Sequence, residues 1–224
     1  MICILFVLGC NKLTPDWIKI MDGCKEDLFY IEFSFNENLN NLLIINLINN
    51  GEQVDRIQYE GLMWREQVQL IGDQRLQIEL PLRGGMGIHW RRIIILSVCE
   101  GKIVESLNII STEISDHPQM ARKEEYRIDY SNLTDGKALT LYETHSSEFS
   151  STDIESWSDT IDLKFNVDDQ FFYSRENTEI KDAKIYNTKK LISGYFHSII
   201  TKRYTYLFVD EKWYVLNENN VLIR

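Results

Sequence analysis

Phe29-Tyr30-Ile31-Glu32-Phe33-Ser34-Phe35 places an apolar residue at every second position and a more polar one between. A period of two is what a strand needs when one sheet face is buried, because successive side chains point to opposite faces. The same pattern spreads outward from this segment. Leu42 to Ile48 forms another apolar run, closed by Asn49-Asn50-Gly51, whose Asn and Gly tolerate the positive φ of a tight hairpin. Leu76, Ile78, Leu80 and Leu82 alternate with Gln77, Glu79 and Pro81. Ile88–Val98 and Lys102–Ile110 read as two strands joined through Glu100-Gly101. Further along, Tyr126–Tyr130, Ala138–Thr144 and Ile161–Phe165 read as strands, Asn166–Asp169 as a turn, and Arg203–Val209 with Lys212–Leu216 as a hairpin through Asp210-Glu211. Val221-Leu222-Ile223 reads as a terminal strand.

Two segments depart from this rhythm. Thr14 as N-cap, Pro15 at the first turn and Gly23 beyond the last predict a short helix. Leu191, Ile192, Tyr195, Phe196, Ile199 and Ile200 follow helical spacing within 188–201, although Gly194 and the β-branched residues oppose it. The polar stretch Ser111–Glu125 offers no evident face to bury and reads as a linker, and His145–Ser158 reads as a polar loop. The expectation is therefore a mainly β chain of two small β-sandwich or half-barrel-like domains with one or two short helices. Their bounds are 25–111 for the N-terminal β domain and 126–224 for the C-terminal β-rich domain.

The first ten residues, Met1 to Cys10, form an apolar run ending in Val7-Leu8-Gly9-Cys10. This ending resembles the cleavage box of a bacterial lipoprotein signal peptide, though no Lys or Arg precedes the apolar core. The resemblance implies that residues 1–9 are a signal segment, that Cys10 carries lipid, and that 10–24 serve as tether and short helix. It also implies a cell-envelope location on the periplasmic or surface side, with the membrane as a partner through the lipid anchor. The run is too short to span a bilayer as a helix.

Composition narrows the partners. The chain has 224 residues with a formal net charge of −10, and its basic residues cluster only in pairs such as Arg91-Arg92 and Lys202-Arg203. Backbone-phosphate binding depends on clustered cations, so nucleic acid is not an expected partner. Four cysteines, Cys3, Cys10, Cys24 and Cys99, show no metal-ligand spacing, and His89, His117, His145 and His197 fall in no zinc motif, so neither metal nor cofactor is expected. With Cys3 removed and Cys10 acylated, Cys24 and Cys99 remain as disulfide partners or as two separate buried thiols.

Catalytic sets are equally sparse. Arg83-Gly84-Gly85-Met86-Gly87 reads as a turn rather than a phosphate loop, since extended segments follow it. Glu143, Glu148, Asp153, Glu155 and Asp159 gather hard oxygens among Ser and Thr, but in no EF-hand spacing. Tyr204, Tyr206 and Phe208 share one strand face, with Trp213 on the partner strand, so Tyr204, Tyr206 and Trp213 are the candidate ligand-binding aromatics for a protein or glycan. The reading that follows is an envelope binding or structural module without a catalytic residue. Its alternatives are an extracytoplasmic hydrolase using Glu143 or Glu148 with His145, and a cytosolic β domain without lipid.

Overall fold

The computed structural model describes residues 17–25, 27–36, 42–60, 67–83, 88–117, 120–130, 138–150, 153–184 and 191–217. Cys10, Gly84–Gly87, Thr134–Gly136 and Val221–Ile223 lie outside them. The described residues form sixteen strands and no helix. A first sheet, in the order β1-β2-β3-β4, comprises β1 Trp17–Met21, β2 Leu28–Asn36, β3 Leu42–Asn49 and β4 Glu52–Glu60.

The central sheet has eight strands in chain order: β5 Gln67–Ile71, β6 Arg75–Arg83, β7 Ile88–Cys99, β8 Lys102–His117, β9 Met120–Asp129, β10 Ala138–Ser150, β11 Asp153–Asn166 and β12 Phe171–Tyr173. A third sheet comprises β13 Arg175–Lys184, β14 Leu191–Ile200, β15 Tyr204–Val209 and β16 Lys212–Asn217. All strand pairs are antiparallel, as short hairpin connections require.

The six residues Ile93 to Val98 of β7 are all buried, so both faces of this strand are covered. Ile93 and Ile95 enter one core, whereas Ile94, Leu96 and Val98 enter another. The second core lies between the first sheet and β6–β7, where Phe29, Ile31, Leu43, Ile45 and Leu47 meet Leu76, Ile78 and Leu80. The first core lies in the curl of the central sheet, against Ile199, Tyr204, Tyr206 and Val215 of the third sheet. Curling brings β12 back into contact with β8, the half-open shape that strand twist produces in a long sheet.

A turn after β1 is fastened to the β7–β8 hairpin. Asp22, wholly buried, accepts hydrogen bonds from the backbone N–H of Cys24 (2.7 Å) and Lys25 (3.0 Å) through Oδ1, and from that of Gly101 (2.9 Å) through Oδ2. Cys24 and Cys99 form a disulfide across the same junction, with a sequence separation of 75. Closing a loop of that size removes about 4–5 kcal/mol of unfolded-state entropy in the chain-entropy estimate.

Four expectations are corrected. Trp17–Met21 is a strand rather than a helix, because Ile18 and Ile20 alternate with exposed Lys19 and Ile20 is buried against β2. Leu191–Ile200 is also a strand, paired with β13 and β15; Gly194 at φ 144° holds a conformation a helix cannot include. The expected linker Ser111–Glu125 instead supplies the end of β8 and the start of β9, with Thr112 paired to Glu125, so its described residues belong to the central sheet. Likewise the expected loop His145–Ser158 consists largely of paired hairpin arms, with His145 opposite Trp157. Among the described side chains of these arms, Glu113 is buried against Tyr204 and Arg203, while Ser146, Ser156 and Ser158 are exposed, which composition alone does not reveal.

Candidate functional site

The β7–β8 hairpin, the β11–β12 turn and the β15–β16 hairpin converge at one end of the molecule and enclose a cleft of about 730 Å³. That volume falls within the range of small-ligand and peptide sites. Glu100, Glu105, Asp168, Asp169, Asp210 and Glu211 line it against Lys102 and Lys212, so carboxylates outnumber lysines six to two. Phe171 and Phe208 lie beneath, stacked at 4.4 Å between centroids, and His197 meets Phe171 edge-on at 5.6 Å. Trp213 backs this cluster at 5.3 Å from Phe208, its indole N–H donating to the Glu105 carbonyl at 2.8 Å.

Local backbone chemistry builds each wall. Asn166 Oδ1 accepts from the N–H groups of Asp168 and Asp169, both at 3.0 Å, and its Nδ2 donates to the Asp169 carboxylate at 3.2 Å, closing the turn with both residues exposed. Gln170 is buried and donates to the Val167 carbonyl at 2.7 Å. The Cys24–Cys99 disulfide and Asp22 hold the opposite wall, since Cys99, Glu100 and the adjoining Lys102 belong to the lining.

Among the described residues, six that are not glycine have positive φ: Asn50, Glu100, Gln170, Asn177, Asp210 and Glu211. Four of these, Glu100, Gln170, Asp210 and Glu211, line the cleft. A left-handed residue with a Cβ is strained by about 1 kcal/mol or more, and tight hairpins ordinarily place Asn and Gly there. At Asn50-Gly51, which does not line the cleft, the ordinary choice is found. Strain concentrated around one concave surface is the pattern of a site selected for its side chains.

Residues singled out from the sequence fall elsewhere or only in part here. Tyr204 and Tyr206 are core residues, 7% and 0% exposed, and Trp213 is half-buried behind the cleft floor. Glu143 is fully buried between sheets: its Oε1 accepts from the Tyr126 hydroxyl at 2.8 Å and its Oε2 from the Lys202 N–H at 3.3 Å. Burial, with Tyr206 and Glu143 nearby, pushes the Tyr126 phenol well above its ordinary range, so it stays a donor. This arrangement binds the β14–β15 turn to the central sheet. His145 stacks on Trp157 at 5.1 Å, and the Lys202 ammonium sits over the same indole at 4.0 Å. The side chains of Glu148, Asp153 and Glu155 lie outside the described ones, and Asp159 is exposed.

The sequence did contain a signal for the cleft. Glu100-Gly101 and Asp210-Glu211 are hairpin turns with acids where Asn and Gly would fit with less strain. Among the described residues, no group of three or more His, Cys, Asp or Glu is placed to hold a metal ion. No family model, curated protein or solved structure matches the chain.

Replacing Asp210 by Asn together with Glu211 by Gly should relieve two left-handed residues and raise unfolding free energy by about 1–2 kcal/mol. Urea denaturation measures this directly, and a lowered midpoint would refute the assignment of strain to this turn.

Proposed function

We propose that the chain is a bacterial cell-envelope lipoprotein, tethered through acylated Cys10, whose cleft binds a positively charged segment of a partner protein. The observation that carries the binding reading is the meeting of excess carboxylates, an aromatic floor and strained non-glycine turns at one concave surface. Carboxylates at the mouth attract Lys and Arg side chains, and Phe171 and Phe208 offer apolar surface to their aliphatic stems. Lys102 and Lys212 keep the mouth from uniform negative charge and would set the register of the bound segment. A disulfide between Cys24 and Cys99 supports the extracytoplasmic side of the reading, because such bonds persist in oxidising compartments.

Mass spectrometry of membrane-extracted protein should find the mature N-terminus at an acylated Cys10. Titration with a tetralysine peptide, read by tryptophan fluorescence, should give saturable binding that weakens as salt rises from about 0.05 M to about 0.3 M. Asp168→Asn with Asp169→Asn should weaken it about three- to tenfold. Equal binding of tetraglycine, or none of tetralysine, would sink the cleft reading.

A further inference from the structure

Arg75, on β6, is only 6% exposed. Its guanidinium lies over the Phe165 ring at 4.4 Å from the centroid and over Phe172 at 5.5 Å. These rings come from β11 and β12, at the far side of the eight-stranded order, so Arg75 spans the interior of the curled sheet. Its Nε is shut off from solvent with no hydrogen-bond acceptor, and no carboxylate among the described residues pairs with the group. Burial alone pulls the guanidinium below its usual range, with no acid nearby to offset it. Ring faces attract a cation but accept none of its directed N–H bonds, so stacking leaves the buried Nε without an acceptor.

The neighbouring polar groups are donors as well. Ser97 is the register partner of Arg75, so the two side chains leave the sheet on the same face. Ser97 Oγ and Ser106 Oγ are 2.7 Å apart, and both residues are buried. One hydroxyl hydrogen bridges the pair; the other has no acceptor among the described residues. A buried cation and a spare hydroxyl donor on the same sheet face from register partners are groups that an acceptor of negative charge would satisfy.

We propose that Arg75, with the Ser97–Ser106 hydroxyl pair, forms an oxyanion site that takes a carboxylate or phosphate group. The site is separate from the acidic cleft and independent of it, since none of these three residues lines that cleft. Planar N–H donors of Arg match either anion in two-pronged geometry, and a hydroxyl adds a third contact. Merely sealing the sheet would not require a charge, because Met or Leu fills such space without desolvating an ion.

The test titrates the full chain with inorganic phosphate and, separately, with acetate at fixed ionic strength, following thermal unfolding. The effective anion should raise the unfolding temperature saturably, by about 3–6 °C at ten times Kd. The anion giving the larger saturable rise identifies the source as phosphate or carboxylate. Arg75→Met should unfold at the same or a higher temperature without additive and show no saturable rise. Ser97→Ala should remain folded and bind about tenfold more weakly. A rise that persists in Arg75→Met, or no saturable rise with either anion, overturns the proposal. Should Arg75→Met fail to fold, unchanged affinity in Ser97→Ala overturns it instead.

Discussion

Burial of β7 on both faces is the constraint from which the rest of the architecture follows. Ile93 and Ile95 cannot reach the core occupied by Ile94, Leu96 and Val98, so the strand needs two separate covers. The first four strands supply one, and the curl of the central sheet with the third sheet supplies the other. Full burial of each such side chain contributes about 1.5–3 kcal/mol, so the five together outweigh any single hydrogen bond in the molecule. Neither cover is stable without the strand it covers, which ties residues on both sides of the polar 111–125 stretch into one sheet.

The cleft is a by-product of that layering. Hairpins that end at the same edge of adjoining sheets leave a concavity between their turns, and turns tolerate side chains that a packed strand cannot. Acids therefore accumulate at Glu100, Asp168, Asp210 and Glu211 without disturbing the cores below. Asp22 and the disulfide make one wall rigid, while Asn166 shapes another through its own side chain. The buried carboxylates do different work. Glu113, bonded to the Tyr204 hydroxyl and to Arg203, and Glu143, which accepts from the Lys202 N–H, fix the third sheet onto the central one.

Much of the strand content was legible because alternation survives wherever one face is buried, as in Phe29–Phe33 and Leu76–Leu80. The run Ile93–Leu96 lacks alternation for a physical reason, since both of its faces are covered. Misreadings arose where local signals competed with tertiary ones. Helical spacing at Leu191–Ile200 is incidental in a strand whose inward and outward positions both carry apolar groups, including Tyr195 at 68% exposure. Polar residues in 111–125 concealed a strand because Glu113 is buried by partners 90 positions away, beyond the reach of any local pattern. The same limit hid the cleft: its turns were readable, their convergence was not. Tyr204 and Tyr206 had the right residue type for a binding platform, but the third sheet turns that face inward.

The most direct test of the double-faced strand is native-state hydrogen exchange on the chain and on Ile94→Ala, comparing amides of β3 with those of β10 and β15. Loss of this side chain, which touches only the core shared with the first sheet, should accelerate the slowest amides on both sides of β7 by a common factor, set by a loss of about 2–4 kcal/mol. Acceleration confined to β1–β4, with β10 and β15 unchanged, would contradict the account and show two bodies that open independently.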